Sequence, residues 1–173
     1  MRETGKSVID MVILGIDPGL ETVGYGVIDS ERGDVTLIDY GIIKTPRNKS
    51  IAERLKLIAE GINQLIEKFS PEEIAIEELF FCTNRKTAIT VAEARGAILL
   101  TAISKCDRLY EYTPNQIKLA VSGWGGADKQ QVQKMVRVLL KLKEIPKPDD
   151  AADALAVAIT HAQTSRMTGL YKI

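Results

Sequence analysis

The feature that most limits how this chain can fold is the run Val12-Ile13-Leu14-Gly15-Ile16-Asp17, apolar almost throughout and stopped by Pro18-Gly19. A strand apolar at nearly every position, rather than at alternate ones, is buried on both faces and belongs in the interior of a sheet covered by helices. It also closes on a carboxylate. Two further β-like runs follow, Thr22 to Asp29 and Val35 to Ile43, and Gly33-Asp34 between them reads as a tight turn, so the three runs predict an antiparallel meander. Next, Ile51, Leu55, Ile58, Ile62, Leu65 and Ile66 recur at helical spacing, with Asn48 or Ser50 as the cap and Ser70-Pro71 as the stop. This helix delivers the chain to Ile74-Ala75-Ile76, a short strand ending in Glu77 that can lie parallel to the first. Parallel neighbours bring their C-terminal ends together, and with them Asp17 and Glu77.

The remaining pattern is an Ala-rich helix to about Ser104, a short strand over Leu109 to Tyr112, a helix opening at Thr113-Pro114 and a loop over Gly123 to Gly126. A helix from Asp128 to Leu142 comes next and, after Pro146 and Pro148, a last helix from about Asp149 to Thr160. The expected fold class is α/β, a five-stranded mixed sheet flanked by helices. No repeat or linker interrupts the 173 residues, which suit one domain over 11–173, preceded by a leader or non-native extension over 1–10. The first ten residues hold no long apolar stretch, so they read as neither signal peptide nor membrane span. Cys82 and Cys106 lack metal-ligand spacing and suit a reducing, cytoplasmic setting. The 23 basic residues balance the 23 acidic ones, so a nucleic-acid partner must be held by a local patch.

The acids carry the chemistry. Residues on a helix advance by about 100° each, which places Asp150 and Asp153 on one face, as it does Asp149 and Asp153. A lone Asp in a first helical turn is ordinarily a cap. Three acids sharing the turn, with Asp17 and Glu77 at strand ends, are instead what a divalent ion needs: a few carboxylate oxygens, completed by water and phosphate. Glu78 alternates to the other side of its strand and is the poorer ligand. The glycines Gly15, Gly19, Gly24 and Gly26 admit a rival meaning, a hairpin that cradles nucleotide phosphates as in actin-like ATPases and sugar kinases, but the chain is too short for the second lobe of such a protein.

Assembled in order, several motifs resemble the RuvC-type crossover junction endodeoxyribonucleases, which resolve Holliday junctions. They are Leu14-Gly15-Ile16-Asp17-Pro18-Gly19 with Gly24-Tyr25-Gly26, Arg54-Leu55, Ala75-Ile76-Glu77-Glu78-Leu79-Phe80, Ala94-Arg95-Gly96, Ala127-Asp128-Lys129-Gln130-Gln131-Val132 and Asp150-Ala151-Ala152-Asp153-Ala154-Leu155, and they span about Met11 to at least His161. The resemblance implies a ribonuclease H-like fold, a homodimer, and magnesium-dependent symmetric nicking of two opposed strands of a four-way junction in recombination and repair. It implies Asp17, Glu77, Asp150 and Asp153 as catalytic carboxylates and metal ligands, choosing Asp150 over Asp149, with two Mg2+ per active site and Mn2+ as a substitute.

It further implies that Lys118 and Lys129 contact DNA phosphates, that Phe80 meets an unpaired base, and that Arg85 contacts DNA at the start of an Ala-rich helix resembling the family's dimer helix. A junction-binding tetramer and a branch-migration motor are the implied protein partners, in the cytoplasm, with no membrane. His161, the sole histidine, lies about 12 Å along the helix from Asp153 and is rejected as a catalytic base. Trp124, in the loop Gly123-Trp124-Gly125-Gly126, is a candidate DNA contact, whereas Tyr110 and Tyr112 read as strand packing. That loop departs from many family members, which carry a basic or small polar residue where Gly126 stands.

Overall fold

The computed structural model describes residues 11–31, 33–79, 85–164 and 172–173, with 85–87 as backbone alone. Five strands, β1 (Met11–Asp17), β2 (Thr22–Glu31), β3 (Asp34–Lys44), β4 (Glu73–Glu77) and β5 (Leu109–Tyr112), form one sheet in the order β3-β2-β1-β4-β5. β1, β2 and β3 pair antiparallel as the meander the sequence predicts, while β4 lies parallel to β1 and β5 parallel to β4. The helices are α1 (Ile51–Phe69), α2 (Arg85–Ile103), α3 (Pro114–Ser122), α4 (Lys129–Leu139) and α5 (Asp149–Thr164).

Strand parity divides the core. Leu14, Ile16, Val23, Val27, Ile74 and Ile76 face α1 and α2, packing on Ile58, Ile62 and Ile98. Their neighbours Ile13, Ile28 and Ala75 face the other way, onto α5, with Leu155 and Val136. The all-apolar β1 thus fills both layers, as a central strand must. Asp17 follows the parity of Ile13 and Gly15, and Glu77 that of Glu73 and Ala75, so both acids leave their strands on the α5 side.

α5 lies unusually close to the sheet. A Cβ on Gly15 would sit 2.3 Å from the Ala154 carbonyl, one on Gly24 would sit 2.0 Å from that of Asp150, and one on Gly26 would meet Leu155 at 2.7 Å. These glycines are therefore the floor on which an Ala-rich helix rests, and the backbone of α5 occupies the space that a phosphate-cradling hairpin would need. Of the two caps expected for α1 the structure uses Ser50, whose hydroxyl accepts from Glu53 N (3.3 Å) while the Glu53 carboxylate accepts from Ser50 N (2.9 Å). α4 ends earlier than its apolar pattern implies: Lys141 takes a positive φ of 55°, so Lys141 and Lys143 lie beyond the helix. α5 runs a turn longer than predicted because His161 is anchored on both sides by buried partners.

Candidate active site

β1 stops at Asp17 because Pro18 cannot donate to a ladder, and β4 stops at Glu77. The register Ile16↔Ile76 sets the two acids side by side. Asp17 also stands opposite Gly24, on which the Asp150 backbone rests, so the first turn of α5 is pressed against the same spot and Asp153 follows one turn on. Four carboxylates thus converge from three elements.

The electrostatic result is strong. Lost solvation first, then the charges of Glu77, Asp153 and Asp150 and a hydrogen bond to Glu77, push the Asp17 carboxyl up to about 9. Asp17 is accordingly the protonated partner and donates to Glu77. Lost solvation and the Asp153 charge also raise Glu77, although the Asp17 hydrogen bond, Lys129 and Lys118 pull it back. Asp153 is raised by its burial, against the pull of Lys129. An array that must hold protons to exist at neutral pH is an array that lacks positive charge.

Part of that charge comes from Lys129, the first residue of α4. Asp128 caps this helix, its carboxylate accepting from Gln131 N at 2.8 Å, and so aims Lys129 across the gap. The ammonium lies 2.8 Å from Asp153 Oδ2 and 3.8 Å from Asp149 Oδ2. Burial works against that ammonium, yet its hydrogen bond to Asp153 and the charges of Asp153, Asp149 and Asp150 raise it above the ordinary lysine value. Lys118 on α3 joins Glu77, Lys129 and Asp153 around a cavity of about 200 Å³. Asp149 turns away, bound to Lys147 at 2.7 Å, which holds it below the usual carboxylate range.

Among the described residues no group of three or more carboxylate, imidazole or thiol side chains is disposed to hold a metal ion as it stands. Asp17 is hydrogen-bonded to Glu77, and Asp153 is paired with Lys129 at 2.8 Å. The donor set nevertheless fits a hard divalent cation, being all oxygen, crowded and short of positive charge. Of the other predicted residues, Phe80 lies outside the described residues, as does the side chain of Arg85, whose backbone opens α2.

His161 is fully buried and far from a catalytic posture. Its Nδ1 accepts from the Tyr112 hydroxyl at 2.7 Å and its Nε2 donates to Glu73 at 2.5 Å, while Tyr112 accepts from Thr164 at 2.9 Å. Tyr110 and Tyr112 are core, at 4% and 1% exposure, whereas Trp124 is exposed. The Arg54-Leu55 motif supplies one structural support of the site. Arg54 is buried on α1, with Nε donating to Thr45 Oγ1 at 2.8 Å, and the Thr45 hydroxyl in turn donates to Leu20 O at 2.6 Å, pinning the turn after Asp17.

A family model described as crossover junction endodeoxyribonuclease RuvC matches residues 13–161. The crossover junction endodeoxyribonuclease RuvC of Alkaliphilus oremlandii (strain OhILAs) is 51% identical over 163 residues, covering 94% of this chain and 99% of the relative. That of Clostridioides difficile (strain 630) is 50% identical over 157 residues, covering 91% and 93%. Among solved structures, T. thermophilus RuvC in complex with Holliday junction substrate matches with a TM-score of 0.86 at 39% identity, over 94% of this chain and 98% of that one. A match of this extent, on a sheet and carboxylate geometry reached independently, leaves one assignment: the chain belongs to the RuvC family of crossover junction endodeoxyribonucleases and has their ribonuclease H-like fold.

Proposed function

We propose that this Holliday junction resolvase cuts DNA with Asp17, Glu77, Asp150 and Asp153 as the carboxylates of its reacting centre, nicking two opposed strands symmetrically. The observation that carries the reading is the convergence of those acids on the β1 and β4 ends, under a pressure that drives Asp17 to about 9. The family is one of metal-dependent nucleases. For this chain we assign magnesium, two ions per centre with manganese as a substitute, because the donors are carboxylate oxygens with room left for phosphate and water. Held by Asp17, Glu77, Asp150 and Asp153, magnesium would supply Lewis acidity to phosphate oxygens and acidify an attacking water. Asp17 stands between Glu77 on one side and the α5 acids on the other, the place from which one carboxylate serves both halves of the site; it gives up its proton when positive charge enters. Lys129 then leaves Asp153 for a phosphate, and Lys118 neutralises another beside the cut. Nicks made this way retain ends that a ligase can seal.

Two opposed nicks require two centres. On α2 the residues Ile89, Ala92, Gly96, Leu100 and Ile103 form an exposed stripe, with Ile89 and Leu100 at 62% and 69% exposure. A Cβ on Gly96 would meet nothing within 4 Å, so no neighbour within the chain requires a glycine there. Close approach of a second copy of α2 gives both the apolar stripe and the glycine a use, and we assign the homodimer to this face. Stacking of Phe80 on an unpaired base, contacts of Arg85 with DNA, work alongside a junction-binding tetramer and a branch-migration motor, and a cytoplasmic location belong to the same reading.

The test is cleavage of a synthetic mobile four-way junction, with linear duplex and single strand as controls, with and without magnesium. Paired symmetric nicks on the junction alone, lost in Asp17→Asn although that variant still binds the junction, are the expected result. Cleavage by Asp17→Asn at the normal rate removes Asp17 from the mechanism.

A further inference from the structure

Between the end of α3 and α4 lies a hollow of about 290 Å³. Its lining is apolar at Trp124, Ala127 and Met135 and polar at Ser122, Gln131 and Lys134, with no acid. Trp124, the single tryptophan of the chain, is 61% exposed. Isolated exposed apolar residues are ordinary on a protein surface and by themselves call for no partner. What sets Trp124 apart is how firmly it is held. α3 ends at Ser122, and Gly123 turns the chain with a left-handed φ of 75°. The Ser122 hydroxyl donates to Lys118 O at 2.6 Å and accepts from Trp124 N at 3.3 Å, while the Trp124 carbonyl accepts from Ala127 N at 3.1 Å. Both backbone polar groups of Trp124 are therefore bonded. The indole itself lies against the Gly126 backbone, where a Cβ would sit 2.6 Å from Cζ2 and 2.7 Å from Cε2. Glycine at 126 thus leaves the ring its place, and the ring still turns most of its surface to water.

The surroundings point to the ligand. Ser122 stands four residues beyond Lys118, about 6 Å along α3, and Lys118 lines the catalytic cleft. On α4, Lys134 lines both this hollow and a neighbouring groove that it shares with Lys129, and Lys129 lines the catalytic cleft. The hollow is continuous with the cleft along both helices, and the residues that join them are cationic. A flat aromatic face beside an ammonium, with no carboxylate to repel an anion, suits a nucleotide: the base stacks and its phosphate is neutralised. A paired base inside a duplex has neighbours on both faces, so the base that offers a face to Trp124 is an unpaired one.

We infer that Trp124 is a stacking platform for an unpaired base of the bound junction, outside the catalytic cleft, with Lys134 beside the adjoining phosphate. This rests on the reading that the chain acts on junction DNA, and it adds a point at which the strand is fixed some distance from the cut. The platform meets the face of a base and not its edge, so it accepts any base.

The experiment uses the full chain in EDTA, where the junction is bound and not cut. Because Trp124 is the single tryptophan, its emission reports on this place alone. A saturating synthetic four-way junction should quench that emission strongly and shield it from acrylamide, and a linear duplex should do neither. Trp124→Ala should weaken junction binding about 10-fold, within the range of one base–aromatic stack, and leave the log–log salt slope unchanged because no phosphate contact is lost. Trp124→Phe should restore most of the affinity. Abasic sites placed one at a time around the crossover should locate the base: one of them should cost the wild type the same loss and cost Trp124→Ala nothing further. Emission unaltered by the junction, or losses that simply add at every abasic position, overturn the platform. So does emission that changes with protein concentration in the absence of DNA, which puts a second copy of the chain on the ring. Cleavage of the unmodified junction by the wild type with magnesium, run in parallel, keeps the two readings apart. Nicks without quenching refute the platform and leave the nuclease standing, whereas quenching without nicks does the reverse.

Discussion

Replacing Asp17 by Asn should make the metal-free protein more stable at neutral pH even as it abolishes cleavage. In the fold Asp17 keeps its proton to about 9, whereas its ordinary value, taken for the unfolded chain, is 3.8. Between those values the folded state binds one proton more than the unfolded state, so stability falls as pH rises, by about 1.36 kcal/mol per unit. From 3.8 to pH 7 is about three units, or about 4 kcal/mol. Asn has no proton to lose in either state, is nearly the same size, and retains a donor toward Glu77. The expected gain at pH 7 is about 2–4 kcal/mol, the lower figure applying if Glu77 and Lys129 readjust around the ionised acid. Urea unfolding in EDTA measures it, and the gap between wild type and variant should narrow toward about pH 5 and widen toward about pH 8. Magnesium at one hundred times its dissociation constant should then stabilise the wild type by about 2.7 kcal/mol and the variant far less. Parallel pH profiles, or a variant no more stable than the wild type at about pH 8, would refute the argument that the acids are crowded at the expense of stability.

Three further outcomes follow from the packing. Gly24→Ala drives a methyl onto the Asp150 carbonyl, 2.0 Å from the ideal Cβ position, so the start of α5 must shift. Unfolding should show a loss of about 2–3 kcal/mol, and displacement of the acids should cost about 100-fold in cleavage. His161→Ala removes the partner of both Glu73 and Tyr112 in the core and should cost about 3 kcal/mol. Burial holds His161 below its ordinary 6.5, so wild-type stability should fall as pH drops below that value, where the unfolded chain takes up a proton that the fold resists, and this contribution should vanish in the variant. Leu100→Glu, at a position 69% exposed, should leave the monomer folded by circular dichroism while abolishing the dimer in sedimentation; a surviving dimer moves the interface away from α2.

Much of this architecture is legible because it is local or periodic. An unbroken apolar run stopped by Pro18 marks β1 as a buried central strand, helical spacing between an Asn48 or Ser50 cap and a Ser70-Pro71 stop marks α1, and a parallel β4 follows from the helix between them. From those elements alone Asp17 and Glu77 meet, since both close neighbouring parallel strands. The misjudged boundaries are those set by distant partners or by backbone. α4 stops short because Lys141 turns left-handed while its apolar pattern runs on, and α5 runs further because Glu73 and Tyr112, far away in sequence, hold His161.

What the sequence by itself determined is the set of elements, the pairing of the two strand-end acids and, through its motifs, the family. Only the tertiary structure decided what depends on one surface lying over another. The sequence sets the phosphate-cradle reading of the glycines aside only on chain length, and their structural use appears when α5, a helix more than a hundred residues later, is seen resting on Gly15, Gly24 and Gly26. Asp149 and Asp150 are equivalent by helical spacing until Lys147 draws one outward and Gly24 admits the backbone of the other. The Lys129 contact with Asp153 and the raised Asp17 arise where residues distant in sequence exclude water from the same space. Burial and charge proximity are properties of that space, and no spacing along the chain encodes them directly.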